Sequence, residues 1–303
     1  MEEVAHRQPG GVPGTGIAEL KSISASPPVK ERFAMNISKF ATHRPGRFIL
    51  ILTIAWVVLL LAFMITASTV FNMSYGDAIT VSIARLAVTA CVLLLVWRLD
   101  WLKASGISRP GSWHVWLLAL GGLVFIAGAS LYSFYGSIAF DLSSLLQLPD
   151  ARTAVITHFV AGLSEEILFR GLLLYALIRV WGSTTRGILG SVLLSSVLFA
   201  LVHLTQVFTY GTSLSSALVL VLQAFVLSIW WGALVVMGGS IWPAVIIHFM
   251  GNTVVVVQGL NTPVVEPVTL AYTQLLWLSL PLGLLAISLL SKTALHPVVA
   301  EVP

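Results

Sequence analysis

The sequence predicts an all-α fold, a polytopic membrane bundle of about eight transmembrane helices, and three observations carry that prediction. Hydrophobic residues make up 57% of the 303 and charged residues only 9%, against about 25% charged in an ordinary soluble domain. The mean hydropathy is +0.96. Beyond about residue 45, apolar runs of about 20 residues, the length that spans a hydrocarbon core, alternate with short polar connections. Soluble globular classes are thereby excluded. The net charge of +4 does not point to nucleic acid, because the basic residues fall mostly at span ends, where they set membrane orientation.

The elements follow in order. Residues 1–45 are rich in Gly, Pro and Ser with few large apolar side chains, the composition of a disordered, loosely tethered cytoplasmic tail. The tail is no signal peptide: the first apolar run begins near Phe48 and is too long for the hydrophobic stretch of a leader. Spans are predicted at roughly 48–69, 78–97, 113–136, 152–179, 187–208, 214–237, 241–259 and 269–290. They divide into N-terminal transmembrane helices (46–151), a core that carries the polar motifs (152–260), and a last helix with a short tail (261–303). Gly182 and Gly238-Gly239-Ser240 mark the two tightest turns. Lys39, Arg44, Arg47, Arg98, Lys103, Arg109, Arg179, Arg186 and Lys292 fall in alternate loops, and Arg152 is the exception. The positive-inside rule then places both termini of this multi-pass protein in the cytoplasm. Cys91, the single cysteine, reads as a small packing residue within an apolar run. Trp97, Trp101, Trp113, Trp116 and Trp242 fall where an interfacial aromatic belt is expected.

The fourth span holds the most informative residues: Glu165, Glu166 and Arg170. Each charge near a bilayer centre costs about 2.5–3.5 kcal/mol on insertion scales, so such residues pair, face a cavity or do chemistry. Glu166 and Arg170 are four residues apart and can pair directly; Glu165 projects about 100° away from Glu166. Glu165 is thus left to face another helix or a cavity. Gly162, one turn earlier, permits a neighbouring helix or a substrate backbone to approach closely. The fifth span contributes His203, one turn beyond Phe199, and the seventh contributes His248 and Asn252, again four apart. Each has a structural reading as well: an ion pair, an interhelical hydrogen bond, an amide on a carbonyl. Their joint occurrence in three of the last five spans points to one shared polar cavity. His158 falls towards the outer interface, and Gln223 in the sixth span stands behind the cluster.

The sequence has no G-x-S-x-G elbow and no H-E-x-x-H zinc signature, and Cys91 is remote in sequence. What remains is water activation by a carboxylate in apolar surroundings, with histidine and amide groups to position water and steady an oxyanion. Two histidines and a carboxylate are equally a ligand set for a catalytic divalent metal such as zinc. The residues alone leave both open.

The segments S-E-E-I-L-F-R-G, F-A-L-V-H and H-F-M-G-N resemble the three signatures E-E-x-x-x-R, F-x-x-x-H and H-x-x-x-N of the CPBP intramembrane proteases, the CAAX protease and bacteriocin-processing (Abi) family. The resemblance covers about residues 153–258. It implies an all-helical intramembrane endopeptidase with a conical polar cavity, acting on a membrane-associated or lipidated peptide. Carried onto this chain, Glu165 is the base that activates water together with His203. His248 and Asn252 support the oxyanion, and Glu166 and Arg170 are supporting residues that position the first group. Members are commonly described as metal-dependent, which makes Glu165, His203 and His248 the ligand candidates; a glutamate-activated water without tightly held metal is the other account. Two further readings use the same residues: a non-catalytic bacteriocin-immunity or binding membrane protein, and a proton-coupled transporter with a Glu165–His203 relay. Transporters more often show inverted repeats, and none is visible here.

Overall fold

The computed structural model describes residues 29–70, 73, 77–135, 151–209, 211–261 and 275–292. The described residues are all-helical apart from turns. In chain order the helices are α1 (Val29–His43), α2 (Pro45–Val70), α3 (Ala78–Arg98), α4 (Trp113–Tyr135), α5 (151–181), α6 (Thr185–Val202), α7 (Leu214–Gly238), α8 (Trp242–Asn261) and α9 (275–292). A tight turn, His203–Thr205, and a short helix, Gln206–Thr209, continue α6. Local chemistry starts and stops them. Asp77 caps α3 by accepting from the amides of Ile79 and Thr80 at 3.0 and 3.3 Å, Thr184 caps α6, and Ser213 caps α7. At the other end of α7, Gly239 adopts φ 63°, the left-handed stop that glycine takes without strain.

Five of the eight predicted spans are helices long and apolar enough to cross a membrane: Pro45–Val70, Ala78–Arg98, Thr185–Phe208, Leu214–Gly238 and Leu275–Lys292. Trp113–Gly128 is a shorter apolar helix, and the predicted count of about eight is not met on these criteria. For α5 the reason is charge rather than length, because Glu165, Glu166 and Arg170 stand in its middle. Val29–His43, inside the segment read as a loose tail, is helical; residues 1–28 lie outside the described part. Leu50, Ile54, Val58, Ile65, Leu94 and Leu117 are exposed on the outer faces, as lipid-facing side chains of a bundle are. Cys91 is exposed as well, and so is not the packing residue expected from its apolar neighbours.

Three features position the site. Helix α5 runs through the centre, packed by α3, α6 and α8, and every residue from Ser164 to Ile178 is buried. Its middle, Ile167–Leu174, widens into a π-helix, a distortion often found at functional sites. Second, α5 and α8 touch at Gly162: a Cβ there would sit 3.2 Å from Phe249 N and 3.4 Å from Val245 O. The close approach expected of this glycine is what the packing uses.

Third, the 99–112 loop fastens the N-terminal helices to the core. Trp242 Nε1 donates to Ile107 O at 2.9 Å and Ser240 Oγ to Arg109 O at 2.6 Å. Gly106, at φ 79°, lies so near Gly239 that a Cβ would come 2.8 Å from its carbonyl oxygen. Trp116 Nε1 donates to Pro110 O at 2.7 Å, and Trp101 is buried. Two tryptophans of the expected belt thus hydrogen-bond this loop, and Trp101 packs inside.

Gly162→Val is expected to force α5 and α8 apart and to destabilise the protein by about 1–3 kcal/mol. A lowered unfolding temperature in detergent, with Gly162→Ala intermediate, is the check.

Candidate active site

The site begins with a pair fixed by helical spacing. Arg170 Nη1 lies 3.0 Å from Glu166 Oε1, and both side chains are almost completely buried. Arg170 also donates through Nη2 to Ser228 Oγ of α7 at 2.8 Å. Its guanidinium lies over two aromatic rings, 4.6 Å from Phe199 and 5.3 Å from Trp231, where the ring faces attract a cation. A charge so enclosed is held by its partners and not by water.

Glu166 carries the chain onward to α8. Its Oε1 accepts from His248 Nδ1 at 2.9 Å. The imidazole stacks on Trp231, centroids 4.1 Å apart and planes 14° apart, so ring orientation and tautomer are both set. With the Nδ1 proton given to Glu166, Nε2 is the atom left for the site. It lies 3.7 Å from Glu165 Oε2. That is too long for a direct hydrogen bond, and a water lying to one side of the two atoms can bond both.

Glu165 faces away from Glu166, as its angular position requires, and finds a cation of its own. Its Oε1 is bonded by Arg85 Nη1 from the middle of α3. The sequence reading did not include Arg85. The signal was present, since the intramembrane-charge argument applied to Glu165 applies equally to an arginine amid V-S-I-A-R-L-A-V-T. Trp231 and Ser228 were also missed; nothing in their local sequence marks them.

His203 closes α6 as the first residue of its final tight turn. Its Nδ1 donates to Phe199 O at 3.0 Å, again leaving Nε2 for another partner. The Phe199 ring stands between the two imidazoles, 4.9 Å from His203 and 5.8 Å from His248. His203 is close enough to Glu165 for their charges to interact. His158, placed by sequence at the outer interface, also lies within charge range of Arg85 and Glu165. Asn252 follows His248 by one turn and is half-buried; among the described residues it makes no hydrogen bond to Glu165, Glu166, His203 or His248. Gln223 is buried in α7.

Among the described residues no group of three or more His, Cys, Asp or Glu side chains is placed to hold a divalent metal. Guanidinium groups occupy an oxygen of each carboxylate, while His248 donates through Nδ1 to Glu166 and keeps Nε2 for the site. Two cations thus lie against the two carboxylates and favour their charged forms.

Comparison with known proteins agrees with this geometry. Residues 148–254 match the family described as type II CAAX prenyl endopeptidase, Rce1-like. The matched segment holds Glu165, Glu166, Arg170, His203, His248 and Asn252. No curated protein and no solved structure gives a significant match to the chain.

Removing one member of the sealed pair strands the other. Arg170→Met is expected to destabilise the protein by about 3–5 kcal/mol, since it leaves Glu166 buried without its counter-charge. The double variant Arg170→Met/Glu166→Gln should recover part of that loss, as a double-mutant cycle of unfolding temperatures will read.

Proposed function

We propose that this protein is an intramembrane endopeptidase that hydrolyses a peptide bond of a membrane-associated or lipidated peptide, using water activated by Glu165. The observation that carries the reading is the environment of Glu165: one oxygen held by Arg85, the other 3.7 Å from His248 Nε2. In this scheme a water lodged between Glu165 Oε2 and His248 Nε2 attacks the scissile carbonyl carbon as Glu165 takes its proton. The carbonyl oxygen becomes the oxyanion of a tetrahedral intermediate. Glu165 then returns the proton to the amide nitrogen as the C–N bond breaks, releasing an amine and a carboxylic acid.

The remaining groups have distinct work. Glu166 holds the His248 ring by Nδ1, and Arg170 holds Glu166. His248 Nε2 accepts from the second O–H of the attacking water, and that hydroxyl stays on the tetrahedral carbon when the oxyanion forms. His203 assists Glu165 in orienting the water, and Asn252 adds an amide donor for the oxyanion. Trp231 and Phe199 wall the cluster with apolar surface, which strengthens every charge interaction inside. The site segment's family makes a prenylated tail ending in a C-a-a-X sequence the first substrate to try.

The test is turnover of an internally quenched, S-farnesylated peptide with such a tail by protein purified in detergent. Glu165→Ala and His203→Ala should each lower turnover by at least about 100-fold while the protein still purifies as a folded species. Wild-type turnover in Glu165→Ala would overturn the reading. Dialysis against a chelator should change the wild-type rate by less than about twofold, because the site holds its charges with arginines; a complete loss restored by zinc would contradict that account.

A further inference from the structure

We propose that Arg85 is a positioning residue of this site, contributed by a helix outside the segment that matches the peptidase family. The inference rests on the peptidase reading and names the group that aims its base. Helix α3 carries Arg85 within an otherwise apolar sequence whose only other charge is the terminal Arg98. A mid-membrane arginine costs about 2.5–3.5 kcal/mol on insertion scales and persists where a partner or a function holds it. The partner here is Glu165.

Helix α3 is built to present Arg85 at this point. Val81, Ser82, Val88 and Thr89 are all buried, and they recur at the spacing of one helical face. One turn from Arg85, Ser82 Oγ donates to Ala78 O at 2.7 Å and meets Thr157 Oγ1 of α5 at 3.4 Å, so α3 and α5 are in contact beside the arginine. Thr89 Oγ1 donates back to Arg85 O at 2.6 Å. The guanidinium side chain is 19% exposed, whereas Arg170 is 1% exposed. One arginine is sealed inside the cluster; the other stands at its open side.

The division of labour follows. Arg170 is spent on Glu166, so the charge of Glu165 is met from α3. Because Arg85 takes Oε1, Oε2 is the oxygen left facing His248 Nε2. A pair that served stability alone would need no second oxygen turned to an imidazole. Arg85 therefore fixes which carboxylate oxygen receives the proton of the attacking water, and where it stands.

The experiment compares wild type, Arg85→Met, Arg85→Lys and Glu165→Ala on the farnesylated C-a-a-X peptide. Arg85→Met is expected to lower kcat about 100-fold, the scale of a misplaced reacting group, with KM within about threefold. Arg85→Lys keeps a cation on the same helix and should recover about tenfold of that loss, as a charge without the planar fork. A second measurement needs no substrate: labelling by the apolar reagent dicyclohexylcarbodiimide, located by peptide mass mapping. Glu165 should label several-fold faster in Arg85→Met than in wild type, because its carboxyl is no longer engaged by the guanidinium.

Wild-type kcat in Arg85→Met overturns the proposal, as does unchanged labelling of Glu165. Equal losses in the Met and Lys variants, matched by equal falls in unfolding temperature, overturn it in favour of a purely structural pair. The two readings fail separately. Full turnover in Glu165→Ala sinks Glu165 as the water-activating base and Arg85's role with it, whereas an inactive Glu165→Ala beside a normal Arg85→Met sinks only the role of Arg85.

Discussion

The constraint on which the rest depends is that each charge inside this apolar bundle must be met by a partner on another helix or one turn away. A single continuous chain of contacts does this: Ser228 to Arg170, Arg170 to Glu166, Glu166 to His248, His248 across a short gap to Glu165, and Glu165 to Arg85. It passes through α7, α5, α8, back to α5, and out to α3. Buried ion pairs contribute little net stability against an apolar replacement. What they supply is register, since a slip of α3 or α8 along α5 would leave a charge in hydrocarbon. Stability comes from the packing around them, where Phe169, Phe199, Trp230, Leu172 and Leu234 are almost wholly enclosed.

Adjacent glutamates acquire opposite roles from this geometry. Glu166 is fully buried and committed, with arginine and histidine both on one oxygen. Glu165 lies at the more open side, near a partly exposed arginine. A helix places neighbouring side chains about 100° apart, so two carboxylates next to each other in sequence need not share an environment. One can hold a histidine in position while the other handles protons. The stacked Trp231 plane fixes the imidazole between them.

Much of this was legible in the sequence where the signal is local. Composition and run length gave the helical class; spacing of four gave Glu166–Arg170; Gly162 marked a close approach, though not that α8 makes it; and the glycine-rich turns sit where expected. Partnerships between residues far apart in the chain were not legible. Arg85 and Glu165 are 80 residues apart, and His248 and Glu166 are 82 apart, distances over which periodicity carries no information. The guanidinium group beside Glu165 was hidden for the same reason. A ligand set read from residue types takes no account of guanidinium groups brought to the carboxylates by helix packing. The helix at Val29–His43 was hidden within a tail whose average composition is polar.

The placement of Arg85 bears on what the site is made of. The family segment, 148–254, contains the motif glutamates, histidines and asparagine, yet the cation on Glu165 comes from α3. The same segment receives the 99–112 loop against the turn between α7 and α8. Ile107 fills the space beside Gly171 on the π-helical stretch, where a Cβ would come 2.9 Å from its Cδ1. The N-terminal helices therefore do more than anchor the core: one supplies a charge, and their connecting loop packs against the distorted turn that carries Arg170. Glu165 without α3 would be a carboxylate in an apolar bundle with no guanidinium beside it, the state the membrane penalises most. The cluster of paired charges, in physical terms, extends from α3 through α8.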